Sequence, residues 1–478
     1  MASLISCPLL NFLLISFTFL SLLLIKSHAS EGRKSIESHY HTVEISSLLP
    51  ASVCSPSVTG PSKRPSTLKV VHRHGPCSKH SQDKATPSLD EILTHDQSRV
   101  DSIQYKINPK IETDKIKIKN KKAALLVESG EALGSGNYIV SLSLGTPKKS
   151  LSLIFDTGSD LTWTQCEPCA RVCYEQQDPV FNPTESTTYS NVSCSSTQCS
   201  RLSSTTGNNP GCSTKTCVYG IQYGDQSFSI GFFSQDTLTI SSSDVVPNFY
   251  FGCGQNNQGL FGNTAGLLGL GRDALSIVSQ TAQRYGKYFS YCLPSSSSST
   301  GHLTFGKGGV SRNMKFTPFV GSQSTSFYFI DILGISVGTT QLPIRPSIFK
   351  TTGTIIDSGT VITRLPPAAY DALTTEFRKQ MKMYPSAPAY SILDTCYNFN
   401  KYTTVHIPKI VFTFGGNVKV DLAFSGILIA INSSNVCLAF AENSDASDVG
   451  IIGNVQQKTL EVVYDVAGGQ LGFAPGGC

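Results

Sequence analysis

The sequence predicts a mostly-β protein built as two related lobes, and three observations carry that reading. From Gly134 onward, short alternating strands recur between Gly, Pro, Asn and Ser punctuation, beginning with Tyr138-Ile-Val-Ser-Leu-Ser-Leu-Gly-Thr-Pro147. Helical signals in that part are confined to Ala274–Tyr285 and Pro367–Met383. A two-part signature also occurs twice in the same order, as an internal duplication would leave it. The length of 478 residues calls for at least two domains, and 40% hydrophobic residues with 40 Gly and 24 Pro exclude collagen, coiled coil and bulk disorder.

The first half of the signature is Leu153-Ile-Phe-Asp156-Thr-Gly-Ser159, matched 201 residues later by Thr354-Ile-Ile-Asp357-Ser-Gly-Thr360. The second half is Ala265-Gly-Leu-Leu-Gly-Leu270 after the first Asp and Gly450-Ile-Ile-Gly-Asn454 after the second. Each apolar strand delivers its Asp to a buried loop tip, and Gly158 and Gly359 are expected to permit a turn too tight for a Cβ. If the lobes face each other, Asp156 and Asp357 meet in one cleft, where like charges cannot both ionise and one proton is shared. The ionised member can then deprotonate a water attacking a peptide carbonyl, while its protonated mate hydrogen-bonds the carbonyl oxygen. Ser159 and Thr360 are expected to bond the outer carboxylate oxygens, and Thr157 and Ser358 to lock the two loops together. A lone Asp-hydroxyl-Gly triplet is a common turn; two matched copies with their apolar-apolar-Gly companions are not.

These motifs resemble those of pepsin-like aspartic endopeptidases, in the plant nepenthesin-type branch, with a relationship to the chloroplast nucleoid DNA-binding aspartic protease group. The resemblance runs from Asn137 to the C-terminus and implies a bilobal acid-protease fold, two six-stranded-type lobes with the active site between them. It implies Asp156 and Asp357 as the catalytic pair. It also implies a flap carrying Tyr223, Gly224 and Asp225, with Trp163, the sole tryptophan, donating to the Tyr223 phenol. Gln226 departs from the Gly common at that flap position, which bears on flap flexibility and subsite preference. Extended peptides or proteins are the implied substrates, cleaved at acidic pH by a monomer needing no metal or organic cofactor. A second reading from another class is a protease-like inhibitor or binding protein of the same fold, although loss of function should show at the dyad and both triplets are intact.

Twelve of the 15 cysteines lie after residue 135, enough for six disulfides. Seven crowd together: Cys166, Cys169, Cys173, Cys194, Cys199, Cys212 and Cys217. No His lies in that stretch, which disfavours zinc, and the odd count sends at least one bridge outside, with Cys253 as a candidate partner. Cys396 with Cys437 is a plausible pair, and Cys292 and Cys478 complete the set. Such a Cys-rich insert (residues 166–217) also fits the resemblance. Asn191 and Asn432 head glycosylation sequons.

The first 135 residues differ in texture. They hold 17 of the 38 Lys/Arg and 12 of the 33 Asp/Glu, leaving 21 of each in the neutral remainder. Leu9–Ile25 is an apolar run followed by Ser-x-Ala, read as a signal peptide over 1–29 rather than a membrane anchor. Residues 30–135 are read as a loosely structured propeptide, with one helix over Asp90–Arg99 and an alternating strand over Ile111–Lys122. The segment Val70-Val-His-Arg-His-Gly-Pro-Cys77 resembles one that precedes the protease domain in plant relatives. A Lys is expected between the two Asp residues, with acid charging of His72, His74, His80 and His95 loosening the clamp. The seven Lys of Lys106–Lys122 raise DNA binding as a rival, but the run lacks aromatic stacking partners beyond Tyr105, and no nucleic-acid role is expected. Lobes are expected over 136–318 and 319–478, in a secreted protein of the apoplast, with vacuole or plastid as alternatives.

Overall fold

The computed structural model describes residues 39–49, 51–56, 66–79, 88–107, 138–223, 226–259, 261–308, 311, 313–321 and 326–478. The signal segment, His80, the Ile111–Lys122 run, Gly224 and Asp225 lie outside the described residues.

Each repeat of the signature builds the same strand pattern. In the first, Lys149–Asp156 runs parallel to Gly266–Gly269, which is antiparallel to Trp163–Gln165, itself parallel to Asp244–Gln258. In the second, Thr354–Ile356 runs parallel to Gly450–Ile452, which is antiparallel to Thr363–Leu365, itself parallel to Phe440–Glu442. These strands are apolar without alternation because both faces are covered: Leu153, Ile154 and Phe155 are buried, as are Ile355 and Ile356. Asp156 pairs with Gly269 in register, and the Asp357 amide donates to Ile452 O at 3.0 Å. The two-part signature is thus a strand carrying the Asp and the partner strand that fixes its end.

A fifteen-stranded sheet crosses the molecule and joins strands from both halves, including Tyr288–Cys292, Leu460–Asp465 and Gln470–Pro475. The leader is part of it. Thr67–His72 sits between Thr300–Phe305 and Tyr138–Leu144, antiparallel to both, with Leu68 and Val70 buried. Tyr40–Glu44 pairs with Thr404–Pro408, and Cys54 is bonded to Cys77. The expectation of a loose leader therefore fails for these segments: their alternating apolar residues complete sheets that begin in the following domain.

The leader helix spans Leu89–Ile107, eight residues beyond the expected end. It starts on a capping box, with Glu91 N donating to Ser88 Oγ at 3.2 Å and Ser88 N to Glu91 Oε2 at 2.7 Å. It continues because Val100 and Ile103 pack against Phe327, Phe329, Ile355 and Ile451. The expected helix over Ala274–Tyr285 is two short ones, Ile277–Gln280 and Ala282–Tyr285, and that over Pro367–Met383 ends at Gln380.

All twelve cysteines after residue 135 are bridged: Cys166–Cys253, Cys169–Cys173, Cys194–Cys212, Cys199–Cys217, Cys292–Cys478 and Cys396–Cys437. The bridge leaving the insert runs to Cys253. Asn191 and Asn432 are exposed.

Candidate active site

The two strand ends bring Asp156 and Asp357 face to face, both essentially buried. The loops holding them mirror each other. Gly158 N donates to Asp156 Oδ1 at 2.9 Å, and Gly359 N to Asp357 Oδ1 at 3.2 Å. Thr157 N donates to Ser358 Oγ at 3.1 Å and Ser358 N to Thr157 Oγ1 at 2.8 Å, so each loop satisfies a buried amide of the other. The glycines have a different reason from the one expected. Neither has left-handed backbone; instead, a Cβ on Gly158 would lie 2.7 Å from Asp357 Oδ1, and one on Gly359 would lie 2.5 Å from Asp156 Oδ1. Close approach of the opposing carboxylate, and of the still nearer Arg99 Nη2, rather than turn tightness accounts for glycine at both positions.

The mirror is imperfect at the outer oxygens. Thr360 Oγ1 donates to Asp357 Oδ2 at 2.6 Å. Ser159 is buried beside Asp156 and favours its charged form, but its Oγ makes no directed hydrogen bond in this state, contrary to expectation.

A cation lies between the carboxylates, and it is arginine, not lysine. Arg99 of the leader helix donates from Nη2 to Asp156 Oδ1 at 2.6 Å and to Asp357 Oδ1 at 3.0 Å. It donates also from Nη1 to Asp156 Oδ2 at 3.2 Å and from Nε to Asp357 Oδ2 at 3.0 Å. A planar guanidinium can engage both carboxylates in this way where an ammonium presents a single point charge. Burial alone would raise the Asp156 carboxyl, but the charge and hydrogen bonds of Arg99 outweigh it and hold it below its ordinary value. For Asp357 burial wins: even against Arg99, burial together with the neighbouring Asp156 charge keeps its carboxyl raised.

The helix is fixed on either side of Arg99. One turn earlier, Asp96 accepts from Val361 N at 2.6 Å, Ile362 N at 3.1 Å and Arg364 Nη2 at 2.9 Å. Further on, Gln104 Nε2 donates to Val449 O at 2.8 Å while its Oε1 accepts from Val449 N at 2.7 Å, as a strand would. Asp160 lies near Lys106 at the end of the helix and is itself buried, which pushes its carboxyl up to about 7. None of Asp96, Arg99, Gln104 or Arg364 was anticipated. The available signal was a helix whose apolar stripe (Leu89, Leu93, Val100, Ile103, Ile107) contains an in-register acid and base at Asp96 and Arg99.

On the opposite wall Trp163 Nε1 donates to Tyr223 Oη at 2.9 Å, with Phe261 packed edge-on against both rings. The turn after Tyr223 closes by Tyr223 N to Ser227 O at 2.8 Å, and Gln226 occupies it at φ +65°, the region glycine tolerates without strain. His72 does not fit the expected acid trigger: burial, with Lys458 and Arg73 nearby, pushes it down to about 3, so it stays neutral in mild acid. Among the described residues no cluster of His, Cys, Asp and Glu could hold a metal ion. No described helix is long and apolar enough to cross a membrane.

Two family models match the chain, one described as xylanase inhibitor N-terminal over residues 138–307 and one as xylanase inhibitor C-terminal over 327–475. An aspartyl protease family protein of Arabidopsis thaliana is 56% identical, covering 94% of this chain and 95% of that relative. Nepenthesin-1 of Nepenthes gracilis, an aspartic proteinase, is 39% identical over 74% of this chain and 80% of its own length. Among solved structures, EDGP aligns with a TM-score of 0.59 at 22% identity, covering 73% of this chain and 92% of that one. Soybean basic 7S globulin aligns with a TM-score of 0.57 at 22% identity, over 71% and 91%. At that identity these two establish the fold alone. With two facing Asp-hydroxyl-Gly loops on duplicated strand units and protease relatives across nearly the whole sequence, the chain belongs to the pepsin-like aspartyl protease family in its plant nepenthesin-type branch, as an aspartic-type endopeptidase.

Proposed function

We propose that the protein is a secreted endopeptidase made as a zymogen, with residues 30–135 as an inhibitory propeptide and Asp156 and Asp357 as the catalytic pair. The observation that carries the proposal is Arg99, which neutralises both aspartates and occupies the space an attacking water needs. Once the helix leaves, nothing offsets the repulsion between the two carboxylates, and the pair holds one proton between them in acid. The ionised member removes a proton from water as it attacks the peptide carbonyl. The protonated member donates to the carbonyl oxygen as negative charge develops there, and no covalent intermediate forms. Two carboxyls that share one proton lose their protons in two separate steps within the acidic range, which makes an acidic working range the natural expectation. Substrate lies extended in the cleft under the flap of Tyr223, whose phenol accepts from Trp163 Nε1.

Acid also releases the block. Asp357, already raised, takes up a proton first, at a pH above the ordinary value of about 3.9. That removes half of the negative charge facing Arg99. Asp156 follows only at lower pH, because Arg99 holds it down. Export through the secretory route is supported by the apolar Leu9–Ile25 run and by seven disulfides, with glycans expected on Asn191 and Asn432. The apoplast is the proposed destination.

The test is to express the full chain, acidify it, and follow cleavage of a denatured protein with and without pepstatin, alongside Asp156→Asn. Pepstatin-sensitive cleavage absent from the variant is expected. An inactive wild type would favour the second reading, a binding protein of the kind named by the family models.

A further inference from the structure

The carboxylate of Asp96 is held by a cradle that belongs wholly to the domain after the propeptide. Val361 N and Ile362 N, two successive amides directly after the Asp357 loop, donate to its two oxygens at 2.6 and 3.1 Å. Arg364 Nη2 adds a third donor at 2.9 Å, and both side chains of this ion pair are completely buried. Among the described residues Arg364 meets, apart from Asp96, only neutral acceptors: Ile362 O at 2.9 Å from Nη1 and Gln97 Oε1 at 3.4 Å from Nη2. Its Nε is buried with no acceptor among the described residues. Gln97, like Asp96, leaves with the helix. An emptied cleft therefore exposes a guanidinium without a counter-ion beside two unpaired amides that point the same way, which is a carboxylate site.

We propose that this cradle is a substrate subsite for an acidic side chain, and that Asp96 fills it in the zymogen as a mimic of substrate. The inference rests on the endopeptidase reading above. Asp96 precedes Arg99 by three residues, about 4.5 Å along a helix axis, so the subsite lies within two or three residues of the scissile bond for an extended peptide at ~3.3 Å per residue. Leu93, one turn further back, packs on Val361, Ile362, Ala439 and Val455, so the wall beyond the subsite takes an apolar neighbour.

The experiment uses enzyme activated by acid from the full chain, with peptides identical except for Asp or its isostere Asn at each position in turn around one cleavage point. At pH ~5, above the ordinary Asp value of about 3.9, a single position should show kcat/KM at least ~10-fold higher for Asp than for Asn. At pH ~3 the ratio should fall towards one as the substrate carboxyl is protonated. In Arg364→Gln the ratio should be near one at both values, and because it is taken within each enzyme a general loss of activity cancels. No position preferring Asp, or a preference that survives in Arg364→Gln, overturns the subsite. If that variant does not fold, the wild-type pH dependence decides alone: a ratio that does not fall in acid overturns it. Cleavage of neither peptide set overturns the endopeptidase reading itself, a distinct result from cleavage without preference.

Discussion

Seven residues after each of the two facing aspartates the two lobes place equivalent strands, yet they put opposite chemistry there. Trp163 lies in the strand between Gly266–Gly269 and Asp244–Gln258, and Arg364 in the strand between Gly450–Ile452 and Phe440–Glu442, with the same parallel and antiparallel neighbours. In the first lobe the indole donates to Tyr223 of the same lobe, so that wall supplies its own cover. In the second lobe the guanidinium donates to Asp96 of the leader helix, so that wall is completed from outside. Duplication conserved the backbone because the Asp loops need it. It left the next strand free to diverge, and the divergence gives one side of the cleft its own aromatic partner and makes the other a docking surface for the leader helix.

The comparison breaks first, and hardest, at the aspartates. Asp156→Asn and Asp357→Asn should each lower kcat by at least ~10³-fold, since the two carboxyls act as one unit in proton transfer. A variant retaining a tenth of wild-type activity in a peptide-cleavage assay would mean that the lobes do not contribute symmetrically.

Next comes the cation that both lobes share. Removing one partner of a buried ion pair costs about 3–5 kcal/mol, so Arg99→Ala should weaken the proposed block of the cleft by the leader helix ~10²-fold or more. Transferred from pH 7 to ~5, the variant should cleave without the lag of the wild type; an unchanged lag would locate inhibition elsewhere. The pH dependence has a definite sign. Asp156, held low, contributes stability present above its unfolded value and lost as pH falls through its depressed one. Asp357, raised, contributes stability present below its unfolded value and lost as pH rises through its raised one. Global stability should therefore hold or rise as Asp357 is protonated and fall only at lower pH, through Asp156, whereas the docking of the helix, whose Arg99 favours the charged form of both carboxyls, should weaken as each takes up a proton. Hydrogen exchange of the 89–107 amides against pH would show it.

The cross-lobe lock is a smaller effect. Thr157→Ala and Ser358→Ala should each cost about 1–3 kcal/mol by stranding a buried amide of the other loop. A double-mutant cycle in urea should return a coupling of about 0.5–3 kcal/mol, and strict additivity would deny the lock. Smallest is the flap turn. Gln226→Gly relieves a left-handed residue, and the folded state should change by no more than about 1 kcal/mol, in the stabilising direction if turn strain outweighs chain entropy. A thermal melt distinguishes the sign.

Much of the centre was legible in the sequence because its elements are local. Leu153-Ile-Phe-Asp156 and Thr354-Ile-Ile-Asp357 announce buried strands ending in carboxylates, and their repetition implies a shared cleft. The leader was read less well. Tyr40–Glu44 and Thr67–His72 alternate weakly, and their strand state is decided by the partners Thr404–Pro408 and Thr300–Phe305, more than 200 residues away. Arg99 was overlooked for the same reason. A lone Arg in an amphipathic helix is ordinary until its neighbours Leu93, Val100 and Ile103 are seen to be buried, which forces its charge inward too.

By itself, then, the sequence determined that two aspartate loops exist, that they are duplicates, and that the twelve later cysteines can pair, since strand period, turn residues and composition are properties of short segments. Only the tertiary structure decided which cation faces the aspartates, why Gly158 and Gly359 lack a side chain, and that Arg364 needs a carboxylate from elsewhere. Each of those depends on atoms distant in sequence approaching within a few ångströms of one another. Burial and Coulomb energy act on such distances, and no local pattern encodes them.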